Sequence, residues 1–497
     1  MQSLPALSQL SHAQKDQLIV ALWPLQSQVH TLMAQVVQLQ SRVAQLEAQL
    51  RTNSTNSSKP PCSDGLSKPA PKSLRIAGQR PTGGQKGHPG NTLRLSEHVD
   101  CVIEHSASGI CTVCQRPLGH SEQQVMARRQ VLQLPTFKLH VTEHRLMRSQ
   151  CPCGALQQGQ WPRNVQSAVQ YGASVKALAV HLNQHHLLPL ARTAALLGDL
   201  YGAHLSQASI QSFAQEAAAS LHCTVAAIGQ AVQAAPIAHA DESGIRVKGH
   251  LAWLHCLVTQ RLTWLAPHAK RGSVALQALG LLHGFKGTLV HDGLASYKEL
   301  TCTHSLCNAH HLRELVYIHE NEGEKMWDNW AQEMIDLLGQ ALGEVNQAQG
   351  PLPPARQAHY WASWSALLER GEALNPAVLR TGTRADRAQG IGKTGPTKQS
   401  KARNLLKQLR QHRADVWRFM TDEGVPFTNN LAEQALRMCK VKQKISGCFR
   451  TQHGADTFFT IRSYLATMTK QKANLHACLI SVFQGQPIEP SFAGCAE

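Results

Sequence analysis

The sequence predicts a multidomain α/β protein, and three observations carry that prediction. A narrow heptad of apolar residues runs through the amino terminus, four short β-rich stretches follow one another after Pro236, and Ala/Leu/Gln-rich segments with helical spacing lie on either side of them. At one domain per roughly 100–200 residues, a chain of 497 residues holds three or four units, each large enough for its own core.

Charge narrows the class of partner. The formal net charge is +17, and between Arg380 and Arg450 sixteen Lys and Arg stand against five Asp and Glu. A basic surface so concentrated points to a polyanion, most often nucleic acid; a soluble basic protein without such a partner is the plain alternative. The start lacks a basic region followed by an apolar run, and no stretch approaches the ~18 apolar residues of a membrane span, so the expected compartment is the cytoplasm. Fourteen unevenly spaced cysteines suit free thiols with one metal site better than a disulfide framework.

Residues 1–51 form the first element. Apolar residues fall at Leu18, Leu22, Leu25, Val29, Leu32, Val36, Leu39, Val43, Leu46 and Leu50, in alternating steps of four and three, the seam of a coiled coil. Pro24 removes a helical hydrogen bond, so the continuous zipper is expected after it. A helix packed on its own domain would carry a wider stripe, and self-association is the favoured reading. Residues 52–100 are rich in Ser, Pro, Gly and Lys with little to bury, and are expected as a flexible basic arm with nonspecific phosphate contact as a second role.

Residues 101–155 carry two close cysteine pairs, Cys111/Cys114 in "CTVC" and Cys151/Cys153 in "CPCG", separated by a strand-like stretch. Such pairs can supply the tetrahedral thiolate set that Zn²⁺ prefers, giving a small zinc-ribbon-like module. The tight Cys-x-Cys spacing leaves open two unligated pairs, or Cys101 as a substitute ligand. Residues 160–234 read as helical, with two short helices around "LPLARTAALLGDLYG" and "LSQASIQSFAQEAA" that suit either a helix-turn-helix reader of DNA or plain helical packing.

From residue 235 to 450 the text changes. "IAHADESGIRV", "LAWLHCLVTQ", "LTWLAPHAK" and "GTLVHDG" read as strands, with Asp241 inside the first and Asp292 closing the fourth. Two acids at the ends of neighbouring strands can share a divalent cation, although a single Asp at such a place also serves as a turn former or cap. A third acid stands in "VPFTNNLAEQALRMCKVKQKISG". Thr428, Asn429 and Asn430 make a helix start, and at 100° per residue Leu431, Ala435, Met438 and Ile445 share one side while Glu433, Arg437, Lys440 and Lys444 share the other. An exposed Glu433–Arg437 pair would explain two of those charges and leave Lys440 and Lys444 repelling each other. A DNA-facing stripe headed by one metal ligand explains all four. Residues 451–497 close the chain as a further helical element.

Taken in order, "HADES", "VHDGLASY", "CNAHHLREL" and "FTNNLAEQALRMCKVKQKISGCFRT" resemble the catalytic region of insertion sequence 66 family transposases. The zipper, "NSTNSSKPPCSDG", "GGQKGHPG" and the cysteine pairs resemble that family's front half. The resemblance implies an RNase H-like mixed-sheet catalytic core with an Asp-Asp-Glu triad, here Asp241, Asp292 and Glu433, holding two Mg²⁺ (or Mn²⁺) ions. Glu242 also matches the first motif, but adjacent strand residues face opposite ways, so only one of the two acids is expected at the metals. Cys307 and His310 match a Cys-x-x-His element read as support for the core. The long separation between Asp292 and Glu433 implies a helical insertion at about 319–415. Cys-x-Cys, Ser243 in place of Thr and Leu294 in place of an aromatic depart from the family pattern, none at a triad position.

The implied chemistry is cleavage of the ends of an insertion sequence and joining of the 3′-hydroxyl ends to target DNA, with Arg437, Lys440 and Lys444 on the phosphate backbone. Implied partners are the element's terminal inverted repeats, target DNA, a second copy of the chain and two small accessory proteins, on a bacterial nucleoid. A catalytically silent DNA-binding descendant and a metal-dependent nuclease are the competing readings.

Overall fold

A computed structural model describes residues 10–53, 56–57, 95–105, 110–117, 125–135, 137–162, 164–280, 282–326, 328–378 and 399–493. Most of the expected basic arm, and part of the basic run after Arg380, lie outside these. The described chain divides into two compact units, one of 1–71, 146–195 and 205–497, the other of 72–145 with 196–204.

Helix α1 (His12–Leu50) opens the first unit. Ser11 and Gln14 close a capping box that satisfies the first free amides, and the helix then runs unbroken through Pro24. The expected break at Pro24 does not occur: a proline costs one donor and local strain, and the 26 residues after it keep the helix going. A short hairpin, β1 (Arg148–Gln150) and β2 (Leu156–Gln158), follows with antiparallel pairing.

Helices α2 (Ala173–Val180), α3 (Leu190–Tyr201) and α4 (Gln207–Gln233) come next, with a π-helical turn, His181–His185, after α2. The second of the two expected short helices is in fact a 27-residue helix. Ser206 caps it, and Ile210, Ala214, Ala217, Leu221, Val225, Ile228 and Val232 keep one buried stripe along its length.

The core is a five-stranded mixed sheet of β3 (Ile237–Val247), β4 (His250–Val258), β5 (Thr263–His268), β6 (Thr288–His291) and β7 (Thr303–Leu306), in the order β5-β4-β3-β6-β7. Strands β3, β4 and β5 are antiparallel neighbours, whereas β6 and β7 run parallel to β3. This architecture fits an RNase H-like core. Sequence reading found four of the five strands. It missed β7, whose four residues, Thr-His-Ser-Leu, show no strong alternation and pair only once β6 is in place. Gly287 lets β6 approach β3, since a Cβ there would lie 2.5 Å from the carbonyl oxygens of Ala235 and Pro236.

Two short helices, α5 (Ser273–Leu279) and α6 (Ala295–Lys298), flank β6. The expected insertion appears as helices α7 (Asn308–Met326), α8 (Trp330–Ala348), α9 (Pro354–Leu374), α10 (Lys401–Gln411) and α11 (Arg413–Thr421), starting earlier and ending later than the spacing suggests. They share a core in which Trp364 and Trp417 are fully buried and meet edge to face at 5.3 Å.

Helix α12 (Asn430–Ser446) returns to the sheet, followed by α13 (Gln452–Lys470) and α14 (Leu475–Phe483). The carboxyl-terminal helices serve the core: Thr467 Oγ1 accepts from the amide of Thr263 at 2.9 Å and Ser463 Oγ from that of Leu265 at 3.0 Å. These hydroxyls occupy the donors that edge strand β5 would otherwise expose.

In the second unit, Ile110 bridges Pro117 across the turn that holds Cys111 and Cys114, and Phe137 packs on Tyr201 at 5.2 Å.

Candidate active site

Asp241 lies in the middle of β3 and Asp292 follows the last residue of β6. The two strands pair in parallel up to His239 opposite Val290, two residues short of each acid, and Asp292 lies within electrostatic reach of Asp241. The Asp292 carboxylate accepts from the amide of Leu294 at 3.1 Å, which fixes the turn leaving the strand.

The third acid arrives through Asn429. Its side-chain amide donates to the Ala240 carbonyl of β3 at 2.8 Å, its carbonyl meets His239 Nδ1 at 2.9 Å, and its own backbone amide donates to Cys307 Sγ at 3.2 Å. Asn429 is the residue before α12, yet its side chain makes no capping bond. It fastens the helix start to the sheet instead, and one turn later the helix presents Glu433. Cys307, buried with its thiol pushed up by burial, is thereby a structural acceptor in the core.

Asp241 feels the other two acids. Burial first, then the charges of Asp292, Glu242 and Glu433, raise the Asp241 carboxyl to about 8. Among the described residues no group of three His, Cys, Asp or Glu is gathered as a ready-made metal cage. Carboxylate oxygens are nonetheless the donors a hard cation takes, and the raised Asp241 carboxyl would ionise more readily beside one.

Glu242 faces the other way, as strand alternation requires. Its side chain is 1% exposed and accepts from Arg271 Nε at 2.9 Å, Arg271 Nη2 at 2.5 Å and Tyr297 Oη at 2.9 Å. Burial raises its carboxyl, and the Arg271 and Tyr297 hydrogen bonds oppose that rise. Tyr297 belongs to α6, just after Asp292, so this buried carboxylate ties the strand of one acid to the turn of the next.

On the Glu433 side, α7 contributes His310 and Arg313, one helical turn apart, with His310 Nε2 at 3.9 Å and Arg313 Nη2 at 4.0 Å from Glu433 Oε1. Burial and then Arg313 lower the His310 pKa. Arg271, Tyr297 and Arg313 were not singled out from sequence, and Asn429 was read only as part of a helix start, not as a tie to the sheet. The "HHLR" spacing in "CNAHHLREL", which puts a His and an Arg on one helical face, was the readable signal for Arg313.

Helix α12 buries Ala432, Leu436 and Cys439, with Leu431, Ala435, Met438 and Val441 packed partly against them. The seam is therefore rotated from the one expected, and Ile445, placed in it by the 100° wheel, is 46% exposed. Arg437, Lys440 and Lys444 are all exposed. Lys440 Nζ donates to the Gly244 carbonyl at 2.6 Å, and Lys442 lies 4.2 Å above the Phe449 ring.

The cysteine pairs fall in different units. Backbone amide donors and the Cys114 side chain lower the Cys111 thiol, and the Ala155 amide with Cys151 lowers Cys153. No described helix is long and apolar enough to cross a membrane.

Residues 168–457, more than half the chain and including all three acids, match the family described as "Transposase IS66 family". Residues 2–94 match a family of unknown function, DUF6444. No curated protein matches the chain.

Proposed function

The chain belongs to the IS66 family of transposases, and on that premise we propose that it cleaves the ends of its insertion sequence and joins the freed 3′-hydroxyls to target DNA. The observation that carries this reading is the approach of Asp241, Asp292 and Glu433 through the β3–β6 register and the Asn429 anchor. These three side chains would hold two Mg²⁺ (or Mn²⁺) ions, which when bound activate the attacking oxygen and stabilise charge on the leaving one.

The rest of the work falls to the chain's own residues. Arg437 and Lys444 lie exposed on the helix that bears Glu433 and supply phosphate contacts beside the acids, with Lys440 reaching from the same stripe. His310 and Arg313 flank Glu433 and hold its carboxylate in place before a cation is bound. Glu242, through Arg271 and Tyr297, keeps the Asp241 strand and the Asp292 turn in register. Each cysteine pair, Cys111/Cys114 and Cys151/Cys153, taken by itself supplies proposed ligands for structural Zn²⁺. The proposed partners are terminal inverted repeats, target DNA, two small accessory proteins and, through the α1 zipper, a second copy of the chain; the proposed setting is the bacterial nucleoid in the cytoplasm.

Glu433→Gln tests the assignment. Strand cleavage should disappear while DNA binding persists, and a variant that still cuts would remove Glu433 from the site. A strand-transfer assay with a pre-cut donor end separates the competing readings: joined product marks a transposase, cutting without joining a nuclease, and binding alone a silent descendant.

A further inference from the structure

Helix α1 leaves its apolar seam from Leu22 onward in solvent. From Leu22 to Leu50 every seam residue is exposed, from 43% at Leu46 to 86% at Leu50. A stripe of that size on a helix of 39 residues needs a cover.

The heptad says what kind. With Leu22 at position a, the d positions are Leu18, Leu25, Leu32, Leu39 and Leu46, and the three central a positions are Val29, Val36 and Val43. β-Branched side chains at a with Leu at d favour two parallel strands over three or four. The flanking g and e positions between residues 19 and 49 carry only two charges, Arg42 at g and Glu47 at e. In a parallel, in-register pair, a g residue of one helix meets the e residue five positions on in the other, so Arg42 meets Glu47 of the second helix, twice by symmetry. Within one helix, residues five apart do not face each other, so this match has no intramolecular use.

We propose that α1 pairs with α1 of a second copy of this chain as a parallel, in-register, two-stranded coiled coil. The proposal rests on the self-association named above and adds its stoichiometry, direction and register. Direction has a functional consequence. At 1.5 Å per residue the helix is about 58 Å long, so an antiparallel pair would release the two chains at opposite ends. A parallel pair releases both at Leu50, side by side, as a protein that must hold two DNA ends together requires.

Sedimentation equilibrium of the full chain without DNA reads the proposal independently of catalysis. The wild type should have the mass of two chains. Arg42→Glu and Glu47→Arg should each weaken the dimer about tenfold, since each turns two attractions into two repulsions. Mixing the two variants should restore wild-type affinity in a heterodimer, as should both changes in one chain. A monomeric wild type would overturn self-association itself, and three or four chains would overturn the two-stranded form. A dimer indifferent to both charge reversals would overturn the parallel register.

Discussion

Asp241 and Glu242 are neighbours in the chain and opposites in the fold. One carboxylate carries the electrostatic influence of Asp292 and Glu433, and the other is spent on Arg271 and Tyr297. Removing the Tyr297 hydroxyl tests that division, because it deprives a buried carboxylate of one donor without touching a proposed metal ligand. Tyr297→Phe should lower stability by about 1–3 kcal/mol in a thermal or urea melt. Strand cleavage should fall while the salt dependence of DNA binding stays as in wild type. Alternation along β3 made the opposite facing legible from the sequence. The partners of Glu242 were not, because Arg271 and Tyr297 come from loops and helices that pairing alone does not locate.

At the scale of elements, Asn429 decides where α12 stands. Its side chain satisfies the Ala240 carbonyl and meets His239, both buried. Asn429→Ala would leave these groups unpartnered, and a loss of about 1–3 kcal/mol is expected, with cleavage lost more than binding because Glu433 is no longer held to the sheet. The π-helical turn after α2 offers a second test. His181 and His185 stack at 5.1 Å beside His186, His476 and Arg462. Burial, with neighbouring positive charge, lowers both His181 and His185 to about 4. The unfolded chain binds these protons near 6.5 and the folded chain only near 4, so stability falls as pH drops through that window. Melting temperatures should show the slope, and His185→Gln should flatten it.

At the scale of the whole molecule, the proposed phosphate contacts stand on the helix that bears Glu433. If Arg437 and Lys444 bind phosphates, replacing each by Ala should reduce the slope of log affinity against log salt by about 1 and weaken binding alike on all sequences. An unchanged slope would remove them from the interface. Lys440 should give a smaller change, since its ammonium is already engaged by Gly244.

The sequence alone determined the strands that carry Asp241 and Asp292, the helix that carries Glu433 and the heptad of α1, because these depend on periodicities of two, 3.6 and 3.5 residues that side chains write locally. Tertiary structure decided the rest. Strand β7 forms only against β6, and α13 gives Ser463 and Thr467 to the edge of β5. The seam of α12 turns to bury Ala432, Leu436 and Cys439, and a single asparagine fastens the start of the helix that bears Glu433 to the strand that bears Asp241. In each case a backbone or polar group finds its partner far along the chain, and distant hydrogen bonding leaves no period in a sequence to read.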